Sequence, residues 1–278
     1  GAEARPTRAP AAPRAPAGPG PADWRAPDPE NIPVIDTSKG RIIAELEPRL
    51  APAHVDRIRT LTRQGFYNGR AFFRVIDGFM AQTGDPGDTG EGGSSLPDLQ
   101  AEFSLRRAAD FPMSVNDHPA GKDAGFVGVT PVISEPTALT ALMADGRVPA
   151  WGDFCPGVLG MARAHSENSA NSQFFLMRAT YPSLNRRYTV FGRAITGLSV
   201  IRAIKTGEPV AEPRDVMTQV RVLADIPEAE RPVIRIVDTR SPWFTAYAAQ
   251  QRAQAGATFD ICDLDIPVEV RDAGASRR

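Results

Sequence analysis

Two apolar runs in VIDTSKGRIIAEL (residues 34–46) flank the polar triplet Ser38-Lys39-Gly40 and predict a pair of strands joined by a tight turn. Over residues 52–64 the apolar period lengthens: Val55, Ile58 and Leu61 recur on one face of a helix, and Gly65 supplies the stop. Shorter strand-like runs follow. RAFFRVI is closed by an Asp77-Gly78 turn, PDLQAEF comes next, and GVLGMARA and SQFFLMRA flank the polar loop HSENSAN. YTVFGRAI is a further strand, residues 197–205 form a short helix with Leu198, Ile201 and Ile204 inward, and MTQVRVLADI is a closing strand. Many short strands with two helices among them predict a mainly β protein, a closed antiparallel barrel with helices at its ends.

Three stretches stand apart from this pattern. Residues 1–31 are rich in proline and alanine with arginines between, a composition that cannot bury a core, so they are expected to be a disordered linker with order beginning near Ile32. Residues 104–153 show few periodic runs, with 137–144 the best helix candidate. Residues 227–278 read as a small α/β extension: a strand in VIRIVD, a helix over 242–255 and a strand in DICDLDI. Ser241 suits the N-cap of that helix, Pro242 its first turn and Gly256 its end. The expected division is therefore a linker (1–31), a barrel domain (32–226) carrying a long insertion (104–153), and an extension (227–278).

Composition narrows the function. The 278 residues carry a formal charge of −1, so no global field points to nucleic acid or a membrane surface. No apolar run approaches the length of a membrane span, and no charged-then-apolar signal segment opens the sequence. Cys155 and Cys262 have no CxxC spacing; a disulfide and a pair of buried thiols are equally open readings. His54, His118 and His165 stand in no metal-ligand spacing, so no metal is expected. His165-Ser166-Glu167 has the residue types of a hydrolase triad, but contiguous residues rarely reach that geometry and no GxSxG elbow is present. GDTGEGG lacks the Lys-Ser/Thr of a phosphate loop.

One position carries chemistry. Arg74 sits among Phe72, Phe73, Val75 and Ile76, just ahead of Phe79-Met80. A permanent charge amid apolar side chains needs a way to water or something to bind. The block around it, FFRVIDGFMAQTGDP, is followed in order by GVLGMARA…NSQFFLM and YTVFGRAITGLSVI. These three blocks resemble the signatures of cyclophilin-type peptidyl-prolyl cis–trans isomerases, over roughly residues 32–226.

The resemblance implies an eight-stranded antiparallel barrel capped by two helices, and acceleration of X-Pro isomerisation without a cofactor. It assigns Arg74 as the donor to the twisted amide. Phe79, Met80, Phe175 and Leu184 would line a cup for the proline ring, with Tyr188 where many relatives have a histidine. Gln82 and Gln173 would hold the substrate backbone, Ala162, Arg163 and Ala164 would offer a main-chain edge, and Gly90 would lie near the bound peptide. Ser183 stands where cyclosporin-sensitive relatives carry tryptophan, which implies weak cyclosporin binding. Arg163 in place of asparagine, Tyr188 and a longer loop before Ser172 resemble the bacterial envelope type. The partners expected are unfolded or extended proline-containing polypeptides rather than nucleic acid. The chain is expected to act as a monomer, periplasmic or secreted, with a cytoplasmic location as the alternative. The rival reading is a non-catalytic module of the same fold that binds proline-containing segments or a partner protein.

Overall fold

The apolar runs assemble into an eight-stranded antiparallel sheet that curls on itself, seen here in a computed structural model describing residues 1, 4–6 and 17–273. Its strands lie in the order Met217–Val222, Pro33–Thr37, Gly40–Leu46, Val190–Thr196, Val158–Met161, Phe174–Met177, Met80–Thr83, Arg74–Ile76. The two outer strands are joined at one end. Ala71 bridges Val216, the Phe72 N–H donates to the Asp215 carbonyl (2.9 Å), and the Met217 N–H donates to the Arg70 carbonyl (2.8 Å). Closure of this kind leaves little unpaired sheet edge. Helices α1 (Pro52–Arg63) and α2 (Leu198–Ala203) cap the barrel, with Val55, Ile58, Leu61 and Ile201 packed into the same core as Ile42, Leu159 and Phe191.

Several strands are buried along their whole length rather than alternately. Val158–Met161 and Phe174–Met177 are buried throughout, and Pro33–Thr37 nearly so. Strands of this kind need cover on both faces, and three further stretches of chain supply much of it. Residues 104–153, which read as mostly irregular, form a five-stranded antiparallel sheet in the order Leu105–Ala108, Arg147–Gly152, Thr130–Ser134, Asp123–Val127, Ser114–Asp117. Its helix candidate is a 3-10 turn over Thr137–Leu142.

The linker expected over residues 1–31 is corrected for residues 17–31; residues 2–3 and 7–16 lie outside the described residues. Trp24–Arg25 pairs with Val233–Val237, which in turn pairs with Val268–Arg271, so the segment before the barrel completes the sheet of the extension. Arg25 anchors it to the barrel with two hydrogen bonds to Glu45 (2.7 and 2.6 Å), and the Trp243 indole N–H donates to the Ala17 carbonyl. Helix α3 (Pro242–Ala255) starts as expected, the Ser241 hydroxyl accepting from the Phe244 N–H. DICDLDI is not a strand: the Asp260 carboxylate accepts from the Cys262 N–H and turns the chain into a 3-10 helix. PDLQAEF makes only an isolated bridge between Leu99 and Ala170.

The three additions share one core, in which Ala124 and Phe126 of the insertion pack with Val237, Phe244 and Ile261 of the extension and with Trp24. A disulfide between Cys155 and Cys262 ties the barrel to the extension. At the same junction Arg193 is buried, donating to the carbonyls of Pro156 (3.1 Å) and Val129 (3.3 Å), and burial pulls its pKa down to about 10.

Helix α1 opens on Ala51, which has no side chain able to cap it. Glu102 does this from a distance, accepting from the N–H groups of Ala53 (3.3 Å) and His54 (2.9 Å) and pairing with His54 Nδ1 (2.6 Å). Burial alone would raise the Glu102 pKa, but these partners outweigh it and hold it below the usual carboxylate range. A depressed folded pKa contributes stability that is present above the unfolded value and lost as pH falls through the folded one. Glu102→Ala is therefore expected to lower stability by about 1–2 kcal/mol at neutral pH. The deficit should shrink below about pH 4, as read by denaturant unfolding across a pH series.

Candidate active site

Arg74 begins an outer strand of the barrel, and the strand's register sets its neighbours. Arg74 lies opposite Gln82, and Gln82 lies opposite Phe175 on the next strand. Residues directly opposite one another share a face of the sheet, so Arg74 Nη1 donates to Gln82 Oε1 (3.2 Å). Gln82 Nε2 then donates to Gln173 Oε1 (3.1 Å), and Gln173 Nε2 to the Gly92 carbonyl (2.8 Å). One chain of amides thus connects the arginine to the glycine-rich loop.

This face opens into a cleft of about 650 Å³. Met80 and Phe175 form its floor and are buried, while Phe79, Leu184 and Tyr188 pack against the same cluster. Phe175 stacks on Phe154 and meets Tyr188 edge-on, at ring separations of 5.9 Å in both cases. Tyr188 is held in turn by the Arg163 guanidinium, 4.7 Å from its ring centre. The disulfide of Cys155 and Cys262 belongs to the cluster beneath the floor.

Arg74, Phe79, Met80, Gln82, Gly90, Ala162, Arg163, Phe175, Leu184 and Tyr188 all line this cleft. Ala164 and Gln173 line an adjoining groove of about 400 Å³ that shares Gln82, Gly90, Ala162 and Arg163 with it. Every residue that the resemblance assigns to the catalytic or substrate-binding site therefore falls at one of the two depressions. The N–H groups of Ala162 and Ala164 are already occupied, by the Gln173 carbonyl (3.0 Å) and Ser169 Oγ (2.8 Å). The cleft is also lined by Phe73, Thr89, Glu208 and Pro209, which the sequence reading did not select. Phe73 and Thr89 adjoin chosen residues and were within reach of the motif. Glu208 and Pro209 lie in no motif block and are brought in by pairing of distant chain.

Gly90 is at φ 95°, and a Cβ there would come 3.1 Å from the Phe73 ring, so the loop needs glycine at this point. The organiser of the loop is Asp85, buried, whose carboxylate accepts from the N–H groups of Gly87, Thr89 and Gly90 (2.9, 3.0 and 2.6 Å). Burial pushes its pKa up, but the backbone donors win and hold it below the usual carboxylate range. Among the described residues, Asp153, Cys155 and Cys262 form a buried group of possible metal donors, but its two sulfurs are bonded to each other.

The model of the family "Cyclophilin type peptidyl-prolyl cis-trans isomerase/CLD" matches residues 33–224. A probable peptidyl-prolyl cis-trans isomerase of Brucella suis is 38% identical over 193 residues, covering 66% of this chain and 75% of its own. The peptidyl-prolyl cis-trans isomerase-like 1 protein of Bos taurus is 30% identical over 196 residues, covering 70% and 90%. The crystal structure of cyclophilin AquaCyp293 from Hirschia baltica superposes with a TM-score of 0.83 at 34% identity, covering 91% of this chain and 95% of that one. The chain belongs to the cyclophilin-type peptidyl-prolyl cis–trans isomerases. The likeness to the Hirschia protein extends well beyond the stretch that the family model spans.

Asp85→Asn is expected to leave the barrel folded and to speed amide exchange at Thr89 and Gly90 about tenfold or more, as for loss of charge-assisted bonds of about 1.5–3 kcal/mol. Residue-resolved hydrogen exchange checks this, with Val158 and Leu176 as unchanged core references.

Proposed function

We propose that the chain accelerates X-Pro isomerisation by donating from Arg74 to the twisted amide while the proline ring occupies the cup over Met80 and Phe175. The observation that carries this reading is the guanidinium at the rim of an apolar floor, linked by Nη1 to Gln82. An X-Pro bond turns over across a barrier of roughly 18–20 kcal/mol because of amide resonance. At the twisted state the prolyl nitrogen regains a lone pair, and a donor that binds that state best lowers the barrier. Arginine stays charged at every working pH, and a dry floor strengthens its hydrogen bonds. Each ~1.4 kcal/mol so supplied is about tenfold in rate.

Gln82 and Gln173 hold the substrate backbone, and the Arg163 main chain pairs with the peptide between the occupied N–H groups of its neighbours. The substrates are exposed X-Pro segments of unfolded or extended chains. Ser183, before Leu184 on the rim, supports weak cyclosporin binding. The Cys155–Cys262 disulfide supports an oxidising compartment, periplasmic or extracellular. No helix among the described residues is long and apolar enough to cross a membrane.

Two-dimensional exchange NMR on an Ala-Pro peptide with catalytic protein tests the reading. Wild type should accelerate exchange, and Arg74→Ala should lose about a hundredfold or more with the fold intact. An Arg74→Ala variant as active as wild type would overturn the assignment. Peptide binding without acceleration by wild type would point to a binding module instead. Turnover should also stay nearly level from mildly acid to mildly alkaline pH, since no step needs a titrating side chain; a bell-shaped profile would count against the mechanism.

A further inference from the structure

The Arg74 guanidinium is held on two edges: Nη1 by Gln82, and Nε by Glu208, whose Oε1 accepts from it at 2.9 Å. Stability does not account for the second contact. The two side chains are 38% and 59% exposed, and an ion pair this open to water contributes little to folding. Yet the position of Glu208 is fixed by main chain. Val75 and Gly207 exchange hydrogen bonds in both directions (2.9 and 2.8 Å), and the Val210 N–H donates to the Phe73 carbonyl (2.9 Å). Residues 207–210 are thus laced to the strand on either side of Arg74. The turn is tight, since a Cβ on Gly207 would lie 2.6 Å from Val210 Cα and 2.8 Å from the Pro209 carbonyl oxygen. It brings Glu208 and Pro209 to the cleft wall.

We infer that Glu208 is a positioning residue for Arg74. Its carboxylate occupies Nε and fixes the plane of the guanidinium at the rim, so that the remaining N–H groups of the two terminal nitrogens face the twisted amide. The inference rests on the reading of Arg74 as the donor. A half-exposed arginine samples many rotamers, and those must be given up when it engages the transition state. Nε held by Glu208 and Nη1 held by Gln82 remove that loss before substrate arrives. The arrangement works against the charge of the donor, because the carboxylate offsets part of it; position must therefore matter more than net charge. An uncharged acceptor in the same place should then serve almost as well.

The test compares Glu208→Ala with Glu208→Gln, which keeps an oxygen for Nε and drops the charge. In Glu208→Ala, kcat for an Ala-Pro peptide should fall about tenfold with KM little changed, and Glu208→Gln should recover most of it. The Arg74 Nε–Hε resonance gives a readout independent of turnover. It should exchange slowly with water in wild type and Glu208→Gln, and rapidly in Glu208→Ala. With Arg74→Ala already in place, Glu208→Ala should have no further effect, as for two residues acting through one contact. The Val75 and Gly207 amide signals, which report main-chain bonds, show whether the turn has stayed folded. The inference is overturned if Glu208→Ala is as fast as wild type, if both variants are equally impaired, or if the Nε–Hε signal is indifferent to Glu208. A fully active Arg74→Ala would instead remove the reading of Arg74 on which the inference stands.

Discussion

A guanidinium beside an apolar floor is stable only where its donors find partners and one side stays wet, and the arrangement around Arg74 follows from that constraint. Both chain neighbours of Arg74, Phe73 and Val75, use backbone groups to bind residues 207–210, while the opposite edge of the strand pairs with Met80–Gln82. The strand is thus held on both edges, and Arg74 lines the cleft from it. Gln82 meets it there and passes the constraint through Gln173 to the Gly92 carbonyl. The loop that receives it is organised by the buried Asp85 carboxylate. Rigid strands set the donor, and a charged knot sets the loop facing it.

The barrel was legible because its strands carry continuous apolar runs, and the site because its residues cluster in motif blocks around those strands. The insertion was not legible, for a physical reason visible at Arg107. That side chain lies in the Leu105–Ala108 strand and is 3% exposed, with Nε donating to Ser134 Oγ (2.7 Å) and Nη2 to Thr137 Oγ1 (2.9 Å). A buried arginine with Nε and Nη2 partnered looks like a surface charge when only the residue type is known. Trp24–Arg25 escaped notice because its partner strand lies more than two hundred residues away, and a two-residue strand in a proline-rich setting has no local period. Glu208 escaped for the same reason, since nothing near it in sequence shows that it reaches Arg74. The misread strand at DICDLDI shows the converse: alternation was present, but Asp260 capping its own backbone took precedence.

The additions are bound to the barrel by more than apolar contact. The buried Arg193 donates to carbonyls of Pro156 and of Val129 in the insertion, and the disulfide joins the barrel loop to the extension directly under the cleft floor. The floor residues Met80 and Phe175 therefore share a packed cluster with Cys262, a residue outside the family core. Any displacement of the extension would be felt at the floor, because close-packed interiors transmit small changes in shape.

The shared core of the additions also has a chronology. A chain that enters its compartment N-terminus first has every strand of the barrel once Val222 has emerged. At that moment Trp24, Ala124 and Phe126 are still waiting for Val237, Phe244 and Ile261. A barrel that closed at that stage would bear an uncovered apolar face. That face, and not the cleft, is the surface the extension must cover.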